Sequence, residues 1–163
     1  TGSIPYYRVG AMNFPGNEVA LIQANAFLKV IPRRVFPKGA IVFPKNGGAV
    51  LTRKVRRLSR GSVVDLNTGV CFPKDRRIDE AYLATWFCSF DILTCTVVGT
   101  LPFVDFSMLK EARFPLPPLP EQKRIVAELD AAKARCEAVE AKAREGLAQA
   151  EILRKAVLKE AFE

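Results

Sequence analysis

The last quarter of the chain constrains everything before it. Ile125, Leu129, Ala132, Cys136, Val139, Ala143, Gly146, Ala150, Leu153 and Val157 recur at alternating steps of four and three residues, the spacing of a coiled-coil seam. This pattern predicts one long helix. Pro120 falls in its first turn, where a missing N–H costs nothing, and Glu121 places a carboxylate at the positive end of the helix dipole. A helix from Glu121 to Phe162 extends about 63 Å at about 1.5 Å per residue. That exceeds what the remaining residues can cover, so the seam is expected to seek another helix.

The seam is rich in small residues. Ala132, Ala143, Gly146 and Ala150 stand where Leu or Ile is usual, so a partner backbone can approach closely while little area is buried. A dimer of this helix alone is therefore expected to be weak. Glu140 with Arg144 and Glu151 with Lys155 have the i, i+4 spacing of a solvated face. An amphipathic helix folded back on its own domain is the alternative, with Ile125, Leu147, Leu153 and Leu158 serving either purpose.

Upstream, the pattern is that of an α+β domain over residues 1–119, with the helix occupying 120–163. Ile4 to Val9 reads as a strand with proline confined to its start. Glu18 to Val30 is ambiguous between helix and strand. Ala40 to Phe43 is a short buried strand, Ala49 to Thr52 begins another that runs into a basic stretch, and Ser62 to Leu66 and Thr68 to Phe72 follow as short strands. Asp79 to Phe90 reads as a helix capped by Asp79, with Tyr82, Leu83, Trp86, Phe87 and Phe90 on one face. That spacing makes Trp86 a core residue rather than a base-stacking platform.

Charge locates the partner. The chain carries 25 Lys and Arg against 17 Asp and Glu, a net of +8, and residues 120–163 are balanced, so the excess belongs to the first domain. From Lys29 to Arg77 there are 13 basic residues against only Asp65 and Asp75. Such concentration is the electrostatic footprint of phosphate binding, and charge alone also suits a lipid headgroup surface. There is no apolar run near membrane-spanning length and no signal-like start, so a soluble cytoplasmic protein with no membrane partner is expected.

The chain has no histidine, which removes the commonest general base and metal ligand. Cys71, Cys88, Cys95 and Cys136 show no CxxC spacing and are expected as buried reduced thiols, with no metal site. No catalytic constellation is visible. Asp75, Asp79 and Glu80 lack the spacing and partners of an acid-base or metal site, and no phosphate-binding loop motif occurs. A stand-alone enzyme is thereby disfavoured.

Binding residues are easier to name. Arg53, Lys54, Arg56, Arg57 and Arg60 place five cations in eight positions. If extended, Arg53 and Arg57 share a face with Val55, and Lys54, Arg56, Leu58 and Arg60 share the other. Arg can bridge phosphates or donate to guanine O6 and N7 in the major groove. A solvated hairpin whose charges serve solubility is the alternative. Lys45 and Asn46 open a Gly47-Gly48 turn whose backbone can approach a phosphate, although adjacent glycines often make ordinary turns. Arg76 and Arg77 are candidate outer phosphate contacts.

Phe114-Pro115-Leu116-Pro117-Pro118-Leu119-Pro120-Glu121-Gln122, followed by a long Ala/Glu/Lys helix and then Leu153-Arg154-Lys155-Ala156-Val157-Leu158-Lys159-Glu160-Ala161-Phe162, resembles the DNA specificity subunit of type I restriction-modification enzymes. Ile4-Pro5-Tyr6-Tyr7-Arg8-Val9-Gly10 and Phe36-Pro37-Lys38-Gly39-Ala40-Ile41-Val42 are similar to that family's target recognition domain. Gly47-Gly48-Ala49-Val50 matches its glycine turn loosely.

The resemblance implies a strand-rich target recognition domain that reads one half of a split double-stranded DNA site. It also implies a long coiled-coil helix that acts as a ruler and docks the methyltransferase (modification) and restriction/translocase subunits. Family members usually carry two recognition domains and two helices, whereas one of each is present here, as in a half-length subunit or a fragment. A half-subunit would form a homodimer through its helix, with Ile125, Leu129, Ala132, Cys136, Val139, Ala143, Ala150, Leu153 and Val157 at the contact, and would read a palindromic split site. The resemblance makes the chain non-catalytic and without a cofactor of its own, with S-adenosylmethionine, Mg and ATP on the partner subunits. The reading from a different class is a scaffold or adaptor whose basic domain binds nucleic acid non-specifically.

Overall fold

A computed structural model describes residues 3–29 and 33–162. The chain divides into two compact units, residues 1–123 and 124–163. The first contains strands β1 (Ile4–Tyr7), β2 (Ala20–Leu21), β3 (Ala26–Leu28), β4 (Ile41–Pro44), β5 (Arg56–Leu58), β6 (Val63–Val64), β7 (Thr68–Cys71), β8 (Thr96–Val97) and β9 (Phe103–Val104), with helices α1 (Glu80–Ser89) and α2 (Phe106–Glu111). The second is formed by α3 (Leu119–Phe162), whose first turn belongs to the first unit. The architecture is mixed α+β, a strand-rich unit followed by one long helix.

β4 is the axis of the first unit. It pairs antiparallel with β5 on one side and β7 on the other, within a sheet of order β2-β5-β4-β7. Its side chains alternate between faces, and both faces are covered. Ile41 and Phe43 enter one cluster with Val50, Leu83, Phe87, Ile92 and Val104. Ala40 and Val42 enter a second with Tyr7, Met12, Leu21 and Leu58. A strand buried on both sides needs an unbroken apolar run, as the sequence supplies here. Opposite Phe43 stands Gly69. The Phe43 ring lies over that glycine so closely that a Cβ there would be 2.5 Å from a ring carbon, and the ring packs on Phe87 at 4.9 Å.

A second sheet, β3-β1-β6, and the β8–β9 hairpin complete the unit. The ambiguous stretch from Glu18 resolves into β2 and β3, with Val30 outside the described residues. Asn17 organises this connection. Fully buried, it donates Nδ2 to the carbonyls of Ala11 and Gln23 and accepts the N–H groups of Ile22 and Gln23 on Oδ1. The strand read in Ser62–Leu66 ends at Val64, because Asp65 to Thr68 forms a turn closed by Thr68 Oγ1 donating to Asp65 Oδ1 at 2.6 Å.

Two local expectations are corrected. Ala49 to Thr52 is not a strand but lies in a 3-10 turn, Gly48–Thr52, entered through Gly47 at φ 75° and left through Arg53 at φ 51°. The turn places Val50 in the core. The basic stretch is therefore not extended throughout; only Arg56–Leu58 pairs. None of the four cysteines is in a disulfide, but only Cys95 is buried: Cys71 is half-buried, with burial raising its pKa, and Cys88 and Cys136 are exposed.

α1 begins as expected, with the Asp79 carboxylate accepting the N–H groups of Ala81 and Tyr82. The proline segment is laid against α1: Phe114 packs on Tyr82 and Trp86 at 5.7 and 5.1 Å, and Tyr82 Oη donates to the Pro115 carbonyl at 3.2 Å. Gln122, in the first turn of α3, is wholly buried. Its amide donates to the carbonyls of Arg77 and Pro117 and accepts the Asp79 N–H. Within residues 124–163, Lys133–Glu137 and Glu140–Arg144 form exposed i, i+4 pairs.

Candidate nucleic-acid interface

The sheet register sorts the basic residues by position. Antiparallel pairing puts Arg56 opposite Val42 and Arg57 opposite Ile41, so the chain preceding β5 lies toward the Pro44 end of β4 and the chain following it toward the Ile41 end. Lys45, Asn46, Arg53 and Lys54 therefore gather where β4 leaves the sheet. Arg60, Arg76 and Arg77 lie toward the other end, since β7 runs antiparallel to β4 and Cys71 stands opposite Ile41. The predicted residues make two groups along one sheet.

At the first end, three loops are bonded together. The Lys45 N–H donates to the Asn67 carbonyl at 2.9 Å, the Val104 N–H to the Lys45 carbonyl at 2.9 Å and the Gly47 N–H to the Pro102 carbonyl at 2.7 Å. Asn46 bridges to Phe103, and its Nδ2 approaches Asn67 Oδ1 at 3.5 Å. Lys45 Nζ stands 5.9 Å from the centre of the Phe106 ring. Lys54 Nζ contacts Asn13 Oδ1, which draws the end of the 3-10 turn Val9–Asn13 to the same place. Arg53 Nε meets Asp91 at 3.4 Å with both side chains about half exposed, a pairing of little energy that a phosphate can displace.

Arg56 has a different place from its neighbours. Half-buried, it donates to the carbonyls of Val55 and Met12, and its Nε is buried without a partner. Its contact with the Met12 carbonyl braces the turn that ends at Asn13. Arg57 and Arg76 are exposed, and among the described residues neither forms an ion pair. Arg60 lies 5.3 Å from the Phe27 ring. Arg77 is held by Asp75 through paired hydrogen bonds of 2.6 and 3.0 Å, which keep the Asp75 carboxyl below its ordinary pKa. Among the described residues Arg53 meets Asp91, Arg77 meets Asp75 and Arg56 lies in the field of Glu18, while Lys45, Lys54, Arg57, Arg60 and Arg76 form no ion pair, so the basic residues retain most of their charge.

The seam residues of α3 divide similarly. Ile125 and Ala132 are half-buried, whereas Leu129, Cys136, Val139, Ala143, Ala150, Leu153 and Val157 are exposed, Val139 and Leu153 each to 66 %. Among the described residues no cluster of His, Cys, Asp and Glu could hold a metal ion, and no helix is long and apolar enough to cross a membrane. Sequence patterning missed two residues that matter here. Asn67 falls in the gap between the strands read at Ser62–Leu66 and Thr68–Phe72, although Asp-Leu-Asn-Thr is turn chemistry, and Gln122 sits in an otherwise exposed helical turn where nothing in the periodicity singles it out.

A family model described as Type I restriction modification DNA specificity domain matches residues 1–149. The chain belongs to that family. The fold of this specificity domain is shared with a chain from the type I R-M system, in work on its complex assembly and conformational transition, at TM-score 0.77 and 19% identity over 100% of this chain and 39% of that one. The HsdS subunit from Thermoanaerobacter tengcongensis is similar at TM-score 0.59 and 15% identity, over 85% of this chain and 32% of that one. The chain thus spans less than half the length of either. A sequence comparison with curated proteins gives no match.

Proposed function

We propose that the chain is a non-catalytic DNA specificity subunit, or a half of one, that reads one half of a split double-stranded site. Membership of the specificity-domain family is the observation that carries this reading. The charge map supports it, because the cationic strip belongs to the family's domain and is left largely unneutralised. Lys45, Asn46, Arg53, Lys54, Arg57 and Arg60 are its contacts to the duplex, Arg76 and Arg77 outer phosphate contacts, and Arg56 a brace behind them. Recruitment of methyltransferase and restriction subunits, and pairing with a second copy, fall to α3. The exposure of Leu129, Val139, Leu153 and Val157 supports that role. S-adenosylmethionine, Mg and ATP then belong to the partner subunits, and the complex works in the cytoplasm.

The test is binding of cognate duplex by the assembled enzyme. Arg56→Ala with Arg57→Ala abolishes binding; Arg57→Ala alone separates loss of a phosphate contact from loss of the Arg56 brace. Unchanged affinity at physiological salt for both proteins rejects the site.

A further inference from the structure

We infer that the turn between β6 and β7 is a base-reading tip, with Asn67 contacting an adenine and Leu66 the methyl group of its paired thymine in the major groove. This rests on the proposed function and adds the residues that set sequence preference.

The tip is rigid. Asp65 is engaged three ways: its N–H donates to the Tyr7 carbonyl at 2.9 Å, its Oδ1 accepts Thr68 Oγ1 at 2.6 Å, and its Oδ2 lies 3.4 Å from the Val9 N–H. The Asn67 carbonyl accepts the Lys45 N–H at 2.9 Å. The central pair, Leu66 and Asn67, is therefore fixed in backbone while its side chains are exposed, Leu66 to 87 %. A leucine so exposed on a braced turn gains nothing for folding, because it buries almost no area. Its placement is accounted for by a surface that it covers on binding.

Chemistry selects the occupant. The Asn67 amide presents both a donor and an acceptor, and its contact with Asn46 at 3.5 Å is at the long limit of a hydrogen bond, so it can be exchanged. Asparagine pairs with adenine N6 and N7 in bidentate fashion, and an apolar side chain packs on the thymine methyl. The tip is bonded to the Lys45 backbone, and Lys45, Arg53 and Lys54 gather at the same end of the sheet, while the Asp65 carboxylate is engaged within the turn. An acidic helical groove lined by base edges fits these groups better than a neutral protein surface. Rigidity matters because base readout demands a fixed register, which phosphate contacts alone do not give.

The experiment is selection from a randomised duplex library by the full chain assembled with its modification subunits, comparing the wild type with Asn67→Ala, Leu66→Ala and Arg57→Ala. The isosteric Asn67→Asp is included because it keeps the turn chemistry, with thermal melting checked for each protein. The expected result is that Asn67→Ala and Asn67→Asp lose about tenfold or more of the preference for adenine at one position while the other positions keep theirs. Leu66→Ala weakens the same position, and Arg57→Ala lowers affinity evenly across sequences. Unaltered preferences in the Asn67 variants, or an even loss at all positions, overturn the inference while leaving the proposed function standing. A wild type that selects no sequence overturns both. A Leu66→Ala protein that binds DNA with full preference but no longer binds the modification subunit assigns the tip to protein contact and also overturns it.

Discussion

The side-chain oxygen of Gln122 accepts the backbone N–H of Asp79 at 2.8 Å, while its amide nitrogen donates to the carbonyls of Arg77 and Pro117, each at 2.7 Å. One buried amide thus satisfies groups from the approach to α1, from the proline segment and from the residue that caps α1. Its location in the first turn of α3 fixes where that helix begins. The Pro-Glu-Gln sequence is in this sense a fastening, with proline opening the turn and glutamine locking it.

Replacement of Gln122 by Ala leaves these backbone groups unpaired in a site closed to water, and the expected loss of stability is about 1–3 kcal/mol. Gln122→Glu keeps the acceptor for Asp79 but turns an oxygen toward two carbonyls, so it destabilises at least as much despite its nearly identical shape. Denaturant unfolding checks both. A Glu variant as stable as the wild type contradicts the role given to the amide nitrogen.

Gly69 is held empty by the Phe43 ring. Gly69→Ala forces the ring from its packing on Phe87, at an expected cost of about 1–3 kcal/mol. Phe43→Leu removes the obstruction, so the two substitutions together cost less than the sum of each alone. A double-mutant cycle by thermal unfolding measures the coupling, and strict additivity contradicts the close approach.

Acid stability follows from carboxylates alone. Hydrogen bonds hold Asp75, Glu18 and Asp105 below their ordinary pKa: from Arg77 to Asp75, from the backbone at Glu18 and Gly16, and from Ser107 to Asp105. A carboxylate whose pKa is lower folded than unfolded stabilises the fold above its unfolded pKa, and this is lost as pH falls through the folded value. With no histidine to titrate, stability is expected to stay level from about pH 8 to pH 6 and to decline only in the acid range of carboxylates, below about pH 4. Chemical denaturation across pH tests this, and a transition near pH 6.5 contradicts it.

The seam of α3 is expected to carry self-association. Ala143→Glu places a charge where close backbone approach is needed, and sedimentation should show a shift to monomer. A dimer that persists in this variant puts the contact elsewhere.

How much of this was readable beforehand varies with the physics of each element. The length of α3 and the Asp79 cap were legible because periodicity and capping are local. β4 was legible because burial on both faces demands an unbroken apolar run. The turn Gly48–Thr52 was not, since Ala-Val-Leu-Thr has strand propensity, and the turn is set by Gly47 at φ 75° with Val50 buried in the cluster that holds Ile41 and Phe43. In the basic stretch the alternation that puts Arg56 with Leu58 and Arg57 on the other face holds within β5, but the extended run is confined to Arg56–Leu58, which its pairing with β4, a long-range property, decides. Gln122 and Asn67 left no periodic mark; their partners lie 43 and 21 residues away.

The most direct test of the account is the salt dependence of cognate DNA binding by the assembled protein, for the wild type and for Arg57→Ala with Arg60→Ala. The account predicts that log affinity falls linearly with log salt, and that the steepness drops by about 0.9 for each phosphate contact removed, in a protein that still folds. Affinity that is insensitive to salt, or a slope identical in the two proteins, would contradict it.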